Sequence, residues 1–377
     1  MTEWKTYKLG NVATFQTGKL NSNAAVENGK YPFFTCSPNT LSIDTYAFDK
    51  EVILLAGNNA EGNFSIKYYK GKFNAYQRTY IIETYNDICD IKYLFYALKL
   101  CLQKFKQMSQ GTSTKFLTAV ILNNFEISLP PLAKQRRIAG ILGAIDNKIE
   151  NNRRINANLE LQAQALYKQW FVDNRSDDWK EIKLSDILEI HKKTITPSQT
   201  PNTIFEHYSL PAFDDGRNPT YESGDKIKSS KFVIEDDMFL FSKLNPRIKR
   251  LWLPCIQTEN AICSTEFVAY KPKDISMLAF CYSVVDSVEF YDFVLSLTNG
   301  STGSHQRFHP IDTLEYSLKV PHMEVIKEFN AIVSHMYEQI SKNIIENRNL
   351  ATLRDTLLPK LMSGELKISE YEIHISR

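Results

Sequence analysis

The stretch FSKLNPRIKRLWLP, residues 241–254, gathers Lys243, Arg247, Lys249 and Arg250 around Asn245 and Pro246. A proline-broken loop with guanidinium, ammonium and amide groups carries the chemistry that phosphate oxygens and base edges of a duplex require. In the first half Asn58, Asn59 and Asn63 occupy a comparable place after the apolar run Val52–Leu55. Two glycine loops add Thr112, Ser113, Thr114 and Lys115 in one half and Ser304, His305, Gln306 and Arg307 in the other. Lys67, Lys70 and Lys72 interleave with Tyr68 and Tyr69, a pattern suited to backbone contact, and Arg78 is a further candidate. Singly, each of these reads equally well as a solvated charge; as clusters they point to double-stranded DNA.

No comparable set supports catalysis. An adenine methyltransferase needs a glycine-rich cofactor loop and an Asn/Asp-Pro-Pro-aromatic corner for the flipped base, whereas Asn245-Pro246-Arg247 runs on into Ile248 and no Gly-x-Gly occurs. No Walker lysine loop is present, which argues against ATP chemistry. Asp178, Glu181 and Lys183 could imitate a nuclease carboxylate set, but Glu-x-Lys is common on exposed strands. His305 and His309 share i, i+4 spacing in a Gly/Ser loop, where local hydrogen bonding is the simpler reading. The six cysteines, Cys36, Cys89, Cys101, Cys255, Cys263 and Cys281, form no C-x-x-C pair and read as reduced core thiols. No metal and no cofactor is expected on this chain.

The elements that position these loops follow from composition and periodicity. With 377 residues, 43% hydrophobic and 12% aromatic, the chain has material for two cores, and its formal charge of +2 confines any basic surface to local patches. The longest uncharged apolar run, MLAFCYSVV, is far too short to span a bilayer, so a cytoplasmic protein without membrane association is expected. The chain also repeats itself. Glu3-Trp4-Lys5 with Lys8-Leu9 returns as Asp178-Trp179-Lys180 with Lys183-Leu184. Gly111 to Phe116 returns as Gly303 to Phe308, Phe125 to Pro130 as Tyr316 to Pro321, and Ile145, Ile149, Asn152 and Arg153 as Ile340, Ile344, Asn347 and Arg348. Each half opens with short alternating or apolar runs such as Glu51–Leu55 and Lys231–Glu235, predicting strands of a compact α+β domain. A helix is predicted inside each, at 91–108 and 275–297.

After Leu129-Pro130-Pro131 the period becomes helical. Ile138, Leu142, Ile145, Ile149, Asn152, Asn156, Leu159, Ala163, Leu166 and Trp170 follow alternating steps of four and three, a heptad seam. The second half offers Phe329, Val333, Met336, Ile340, Ile344, Asn347, Leu350, Leu353, Leu357 and Leu361. An apolar stripe must be buried, and the most economical cover is the other copy, giving an antiparallel helix pair with a globular domain at each end. A continuous helix from Leu132 to Phe171 would be about 60 Å long. Asn152, Asn156 and Asn347 sit where apolar rungs should fall. Buried amides there penalise slipped registers, so they are read as register-setting, with a solvated seam edge as the alternative. Lys134, Arg136, Arg137, Arg153 and Arg154 flank the seam and read as solubilising, with DNA-backbone contact across the spacer as the alternative.

At this point the chain resembles, over essentially its full length, the DNA specificity subunit of type I restriction–modification systems. The carrying residues are Trp4-Lys5 with Lys8-Leu9, Gly111-Thr112-Ser113 with Phe116, the run Ile127-Ser128-Leu129-Pro130-Pro131-Leu132-Ala133-Lys134-Gln135-Arg136-Arg137-Ile138, and Leu357-Leu358-Pro359-Lys360-Leu361-Met362-Ser363-Gly364-Glu365-Leu366. Lys134 stands where the family more often has an acidic residue, and Val320-Pro321-His322-Met323-Glu324 keeps only one proline. The resemblance implies an α+β protein with a pseudo-two-fold internal repeat: a first target recognition domain over 1–130, a central helix over 131–173, a second recognition domain over 174–321 and a C-terminal helix over 322–377. It implies a non-catalytic subunit in which each domain reads half of a bipartite DNA target. The helices set the spacing and dock methyltransferase (M) subunits, and restriction (R) subunits join this core. S-adenosylmethionine, ATP and Mg would then belong to those partner subunits. A coiled-coil adaptor for proteins and an enzyme with its own site are the rival readings.

Overall fold

The computed structural model describes residues 4–85, 87–298 and 306–366; Glu3, Ser304 and His305 lie outside them. The chain divides into two compact units, Met1–Ile149 with Asn349–Arg377, and Glu150–Arg348. Both long helices cross that division. The central helix spans Leu132–Tyr167 and continues as a π-helical turn over Lys168–Asp173, and the C-terminal helix spans Met323–Ser363.

In the first unit a six-stranded sheet runs in the order Ala13–Thr17, Thr79–Thr84, Phe48–Ala56, Ile66–Ala75, Tyr31–Phe34, Leu41–Ile43. Phe48–Ala56 lies in its middle, antiparallel to both neighbours. Over Val52–Ala56 both of its faces are covered, so that part of the strand is continuously apolar instead of alternating. Val52 and Leu54 pack with Phe34, Phe73 and Ile81, while Ile53 and Leu55 enter the main core with Tyr93, Leu94, Ile138, Leu142, Leu358 and Leu361. The helix predicted at 91–108 is broken at Cys101 into Ile91–Leu100 and Leu102–Met108. The ladder Lys5–Lys8 against Glu126–Leu129 closes the unit.

That unit is tied to the central helix by one buried amide. Gln135 is 1% exposed. Its Oε1 accepts from the Asp90 backbone N at 2.9 Å, and its Nε2 donates to the carbonyls of Pro130 (2.8 Å) and Ile88 (3.0 Å). Asp90 in turn caps helix Ile91–Leu100 by accepting from Tyr93 N at 2.9 Å. Further along, Tyr96 donates to Asp146 at 2.6 Å and Arg354 of the C-terminal helix donates to the same carboxylate at 2.8 Å. Burial first, then the Asp146 bond, pushes the Tyr96 hydroxyl pKa well up.

The second unit repeats this plan. Lys180–Lys183 against Ser317–Val320 is its closing ladder. A four-stranded sheet orders Leu188–His191, Phe267–Pro272, Phe239–Ser242, Leu251–Trp252, and an added five-stranded sheet orders Thr194–Ile195, Lys231–Val233, Ala261–Ser264, Ile204–Tyr208, Thr220–Ser223. The helix predicted at 275–297 is again broken, by Ser287, into Leu278–Asp286 and Val288–Ser296. Asn330, 5% exposed, stands where Gln135 stands in the first unit: its Oδ1 accepts from Phe280 N at 2.8 Å and its Nδ2 donates to the Ile326 carbonyl at 2.8 Å. The core centres on Phe171, whose ring lies 4.9 Å from those of both Phe280 and Phe329.

The two long helices pair antiparallel. In the second unit Asn152 meets Asn347 and Asn156 meets Asn343, partner numbers falling as the first rise. Ile138, Leu142, Ile149 and Ala163 are buried on the seam as expected. Two expectations are corrected. Leu353 is 48% exposed, because Arg354 turns inward to Asp146 and carries the seam to Leu358 and Leu361. Tyr167 and Phe171 are buried while Leu166 and Trp170 are only partly so: after Ala163 the buried face advances by four residues where the heptad step is three, which moves the last rungs by one position.

All six cysteines are free thiols, and burial pushes Cys89 up to about 12. Among the described residues no helix is long and apolar enough to cross a membrane, and no group of three His, Cys, Asp or Glu side chains could hold a metal ion.

Asp146→Ala strands the Tyr96 hydroxyl and leaves the Arg354 guanidinium only its pair with Asp355, and is expected to cost about 2 kcal/mol in chemical denaturation. Leu353→Ala should stay within about 0.5 kcal/mol. A double-mutant cycle of Asp146→Ala with Arg354→Met should return a coupling of at least about 0.5 kcal/mol, and additivity would contradict the pair.

Candidate nucleic-acid interface

In the first unit the loop after the central strand and the glycine loop are brought together by a short antiparallel ladder. Asn58 pairs with Phe116 and Asn59 with Lys115. Gln110 and Phe116 exchange backbone hydrogen bonds of 3.0 and 2.7 Å, so residues 110–116 form a tight hairpin. Gly111 is required there: its φ is +108°, and an added Cβ would fall 2.1 Å from the Thr114 carbonyl oxygen. The hairpin exposes Thr112 and Ser113, with Thr114 and Lys115 half-buried beside them. Phe116 is 37% exposed and carries the Arg78 guanidinium 5.4 Å above its ring.

The three asparagines of this loop are committed internally. Asn59 Oδ1 accepts from the backbone N of Glu61 (2.9 Å) and of Asn63 (3.0 Å). Asn58 accepts from Cys36 Sγ at 3.0 Å, and Asn63 accepts from Lys106 Nζ at 2.9 Å while donating to Glu61 at 3.1 Å. They shape the loop, which leaves Thr112, Ser113, Lys115 and Arg78 as its outward chemistry. Lys106 joins the cluster although no sequence pattern singled it out. It lies on the second piece of the broken helix, and only the fold brings it to Asn63.

The lysines of strand Ile66–Ala75 do not act as one group. Lys67 donates to the Ser37 carbonyl and the Thr40 hydroxyl, both at 3.1 Å, and burial lowers its pKa. Lys70 pairs with Glu51 at 3.1 Å, a carboxylate that also accepts from Tyr68 at 2.6 Å. Burial would raise the Glu51 pKa, but those two bonds and the nearby cations leave it lowered. Lys72 lies over the Tyr46 ring at 4.7 Å.

The second unit builds the same junction from other residues. Leu244, in the loop after strand Phe239–Ser242, bridges to Arg307, and Asn245 N donates to the Gln306 carbonyl at 2.9 Å. Asn245 has a left-handed backbone, φ +48°, and Ile248 N returns to its carbonyl at 2.9 Å. Most of the cations are spent within the unit. Arg250, with an 11% exposed side chain, makes a bidentate pair with Asp214 at 2.7 and 2.9 Å. Lys249 pairs with Asp286 at 2.6 Å, and Arg307 grips Glu266 at 3.1 and 3.2 Å. Arg247 and Ile248 are exposed, Lys243 half-buried. Lys183 of the imagined nuclease set is paired to Glu315 at 2.5 Å on the surface.

On the helix seam Asn152, fully buried, donates through Nδ2 to Glu346 (2.7 Å) and Asn347 (3.0 Å). Asn156 accepts from Asn343 Nδ2 at 2.7 Å and donates to the Ile340 carbonyl at 3.4 Å. Asn343, 4% exposed, and Glu346 are thus part of the polar layer, though neither stood on the predicted seam. Asn343 follows Ile340 by three positions, a heptad step that was legible.

Residues 1–161 match the family described as the type I restriction modification DNA specificity domain. The chain is similar to the type I restriction enzyme EcoDI specificity subunit of Escherichia coli, 25% identical over 97% of this chain and 89% of that one. It is also similar to the MjaIX specificity subunit of Methanocaldococcus jannaschii, 24% identical over 74% of this chain and 70% of that one. The crystal structure of a type I restriction–modification S subunit from M. genitalium shares the fold, with a TM-score of 0.61 at 17% identity over 98% and 97% of the two chains.

Gly111→Ala is expected to cost about 1–3 kcal/mol of local strain and to speed amide hydrogen exchange at Gln110 and Phe116. Gly140→Ala, where an added Cβ meets nothing within 4 Å in the central helix, should instead gain roughly 0.5–1 kcal/mol and leave that exchange unchanged. Equal exchange in both variants would show that the hairpin tolerates the clash.

Proposed function

From its similarity to type I restriction specificity subunits along nearly the whole chain, we propose that this protein is the sequence-reading subunit of such a system. Each recognition domain, 1–130 and 174–321, reads half of a bipartite target in double-stranded DNA. The helices, 131–173 and 322–377, set the spacing and dock methyltransferase (M) subunits, and restriction (R) subunits join the complex. The chain has no catalysis of its own and works in the cytoplasm; S-adenosylmethionine, ATP and Mg serve the partner subunits.

One observation carries this reading. Each unit independently ladders the loop after a buried strand to the segment ending in Lys115 or Arg307, and so builds a polar, partly cationic surface at the same point of a repeated scaffold. Two such surfaces suit two half-sites. On the helices, Asn152, Asn156 and Asn347 hold the register on which a fixed spacing depends, since a slip by one rung would bury unpaired amides.

The test uses the chain assembled with the methyltransferase subunits of its own system. Affinity for the target duplex should fall steeply with salt, the slope being about −0.9 per phosphate neutralised. Lys115→Ala should reduce that slope by about one. Labelled S-adenosylmethionine and DNA incubated with the isolated chain should give no methyl transfer. A flat salt dependence would favour a protein-binding adaptor, and methyl transfer by the chain alone would overturn the non-catalytic assignment.

A further inference from the structure

Loop 243–250 of the second unit spends its cations unequally. Arg250 is closed by Asp214, Lys249 by Asp286, and the adjoining Arg307 by Glu266. Two of these pairs brace a loop end: Arg250 at its exit, where its carbonyl accepts from Ser242 N at 2.9 Å, and Arg307 at the bridge to Leu244. Arg247 is different. It stands exposed at the tip and has no hydrogen-bond or ion-pair partner among the described residues.

The tip itself is fixed. Asn245 holds φ +48°, its N–H is bound to the Gln306 carbonyl, Pro246 is buried, and Ile248 N closes the turn on the Asn245 carbonyl at 2.9 Å. Ser242 Oγ locks the loop entrance by donating to the Leu244 carbonyl (3.1 Å) and accepting from its N–H (3.2 Å). The backbone that carries this guanidinium is therefore fixed while the side chain is left unspent, which suits presentation of its donor fork to the planar edge of a base. Its neighbour points the same way. Ile248 is 54% exposed. Against a solvated phosphate it would gain nothing, whereas at a base edge it can cover a thymine methyl or the face of a pair.

We propose that Arg247 is a specificity-determining residue that reads a guanine in the half-site bound by the second unit, with Ile248 covering the adjacent base. This rests on the reading of the chain as a DNA specificity subunit.

The experiment takes the full chain assembled with its methyltransferase subunits and first determines the methylated sequence of the wild type. Duplexes are then made in which each guanine of the second half-site is replaced in turn by 7-deazaguanine, which removes the N7 acceptor. The wild-type complex should lose roughly 5- to 150-fold in affinity at one position. The Arg247→Ala complex should be insensitive at that same position and should accept other bases there, with the first half-site still read. Ile248→Ala should weaken discrimination at the neighbouring position only.

If Arg247→Ala weakens binding equally on all sequences and lowers the salt slope, the residue contacts phosphate and the proposal fails. It fails too if the second half-site contains no guanine, or if the deaza effect persists in Arg247→Ala. A wild-type complex that methylates no defined sequence overturns the underlying reading, and this inference with it.

Discussion

The constraint on which both units depend is the burial of one side-chain amide in the first turns of each long helix. Gln135 and Asn330 are almost inaccessible to water, and each finds its acceptors and its donor on a specific stretch of backbone. An amide with fewer partners than it needs costs about 1–3 kcal/mol, so such a helix has one comfortable position against its own unit. The donor each amide captures belongs to the start of the broken helix, Asp90 N in one unit and Phe280 N in the other. In each unit one polar contact thus ties the long helix to the start of the broken helix, and Gln135 also binds the Pro130 and Ile88 carbonyls that precede its helix.

The seam adds a second level of polar specification, differently in each unit. In the first, Asp146 collects Tyr96 and Arg354 at once, joining three helices through one carboxylate. In the second, an amide layer of Asn152, Asn156, Asn343 and Asn347 spans the two helices, and the Oδ1 of Asn152 is buried without a partner among the described residues. Leucines at these places would bury more apolar area and cost no desolvation. What they would not do is distinguish one register from the next, because leucine packs acceptably against any rung. Polar rungs exchange stability for a unique alignment, the property a spacer requires.

Much of this was legible because burial leaves a periodic trace. The heptad spacing gave the seam from Ile138 to Ala163, the repeated Trp-Lys segments marked the strands that close each unit, and Val52–Leu55 read as a strand from its apolar run. Partners leave no such trace. Nothing in the chain near Arg250 announces Asp214, and nothing near Arg307 announces Glu266, so cations that looked equivalent in sequence divide into structural and outward ones only when folded. The asparagines of loop 58–63 show the same limit: amides suited to reading bases are equally suited to capping a turn, and the Asn59 Oδ1 caps one. Leu353 failed for a subtler reason. Strict heptads describe a two-helix seam, but Asp146 offered Arg354 a better contact than the seam offered leucine, and the helix face turned by one residue.

The two junctions show how a repeated scaffold can carry unlike surfaces. At the sequence position of Phe116, exposed and covered by Arg78, the second unit has Phe308, 3% exposed and packed on Phe241 at 5.9 Å. The bridging contacts that bring the loops together, Asn58–Phe116, Asn59–Lys115 and Leu244–Arg307, are made by backbone groups and do not depend on which side chains are present. Side chains there are consequently free of a structural duty unless they find a partner of their own. A substitution at an exposed tip such as Arg247 or Thr112 should alter surface chemistry at little cost to the fold, whereas one at Asn59, Asp214 or Glu266 changes the loop itself. The architecture thus separates residues that hold the loops from residues the loops present, and on the reading proposed above that separation lets one scaffold accept a new target through a few exposed positions.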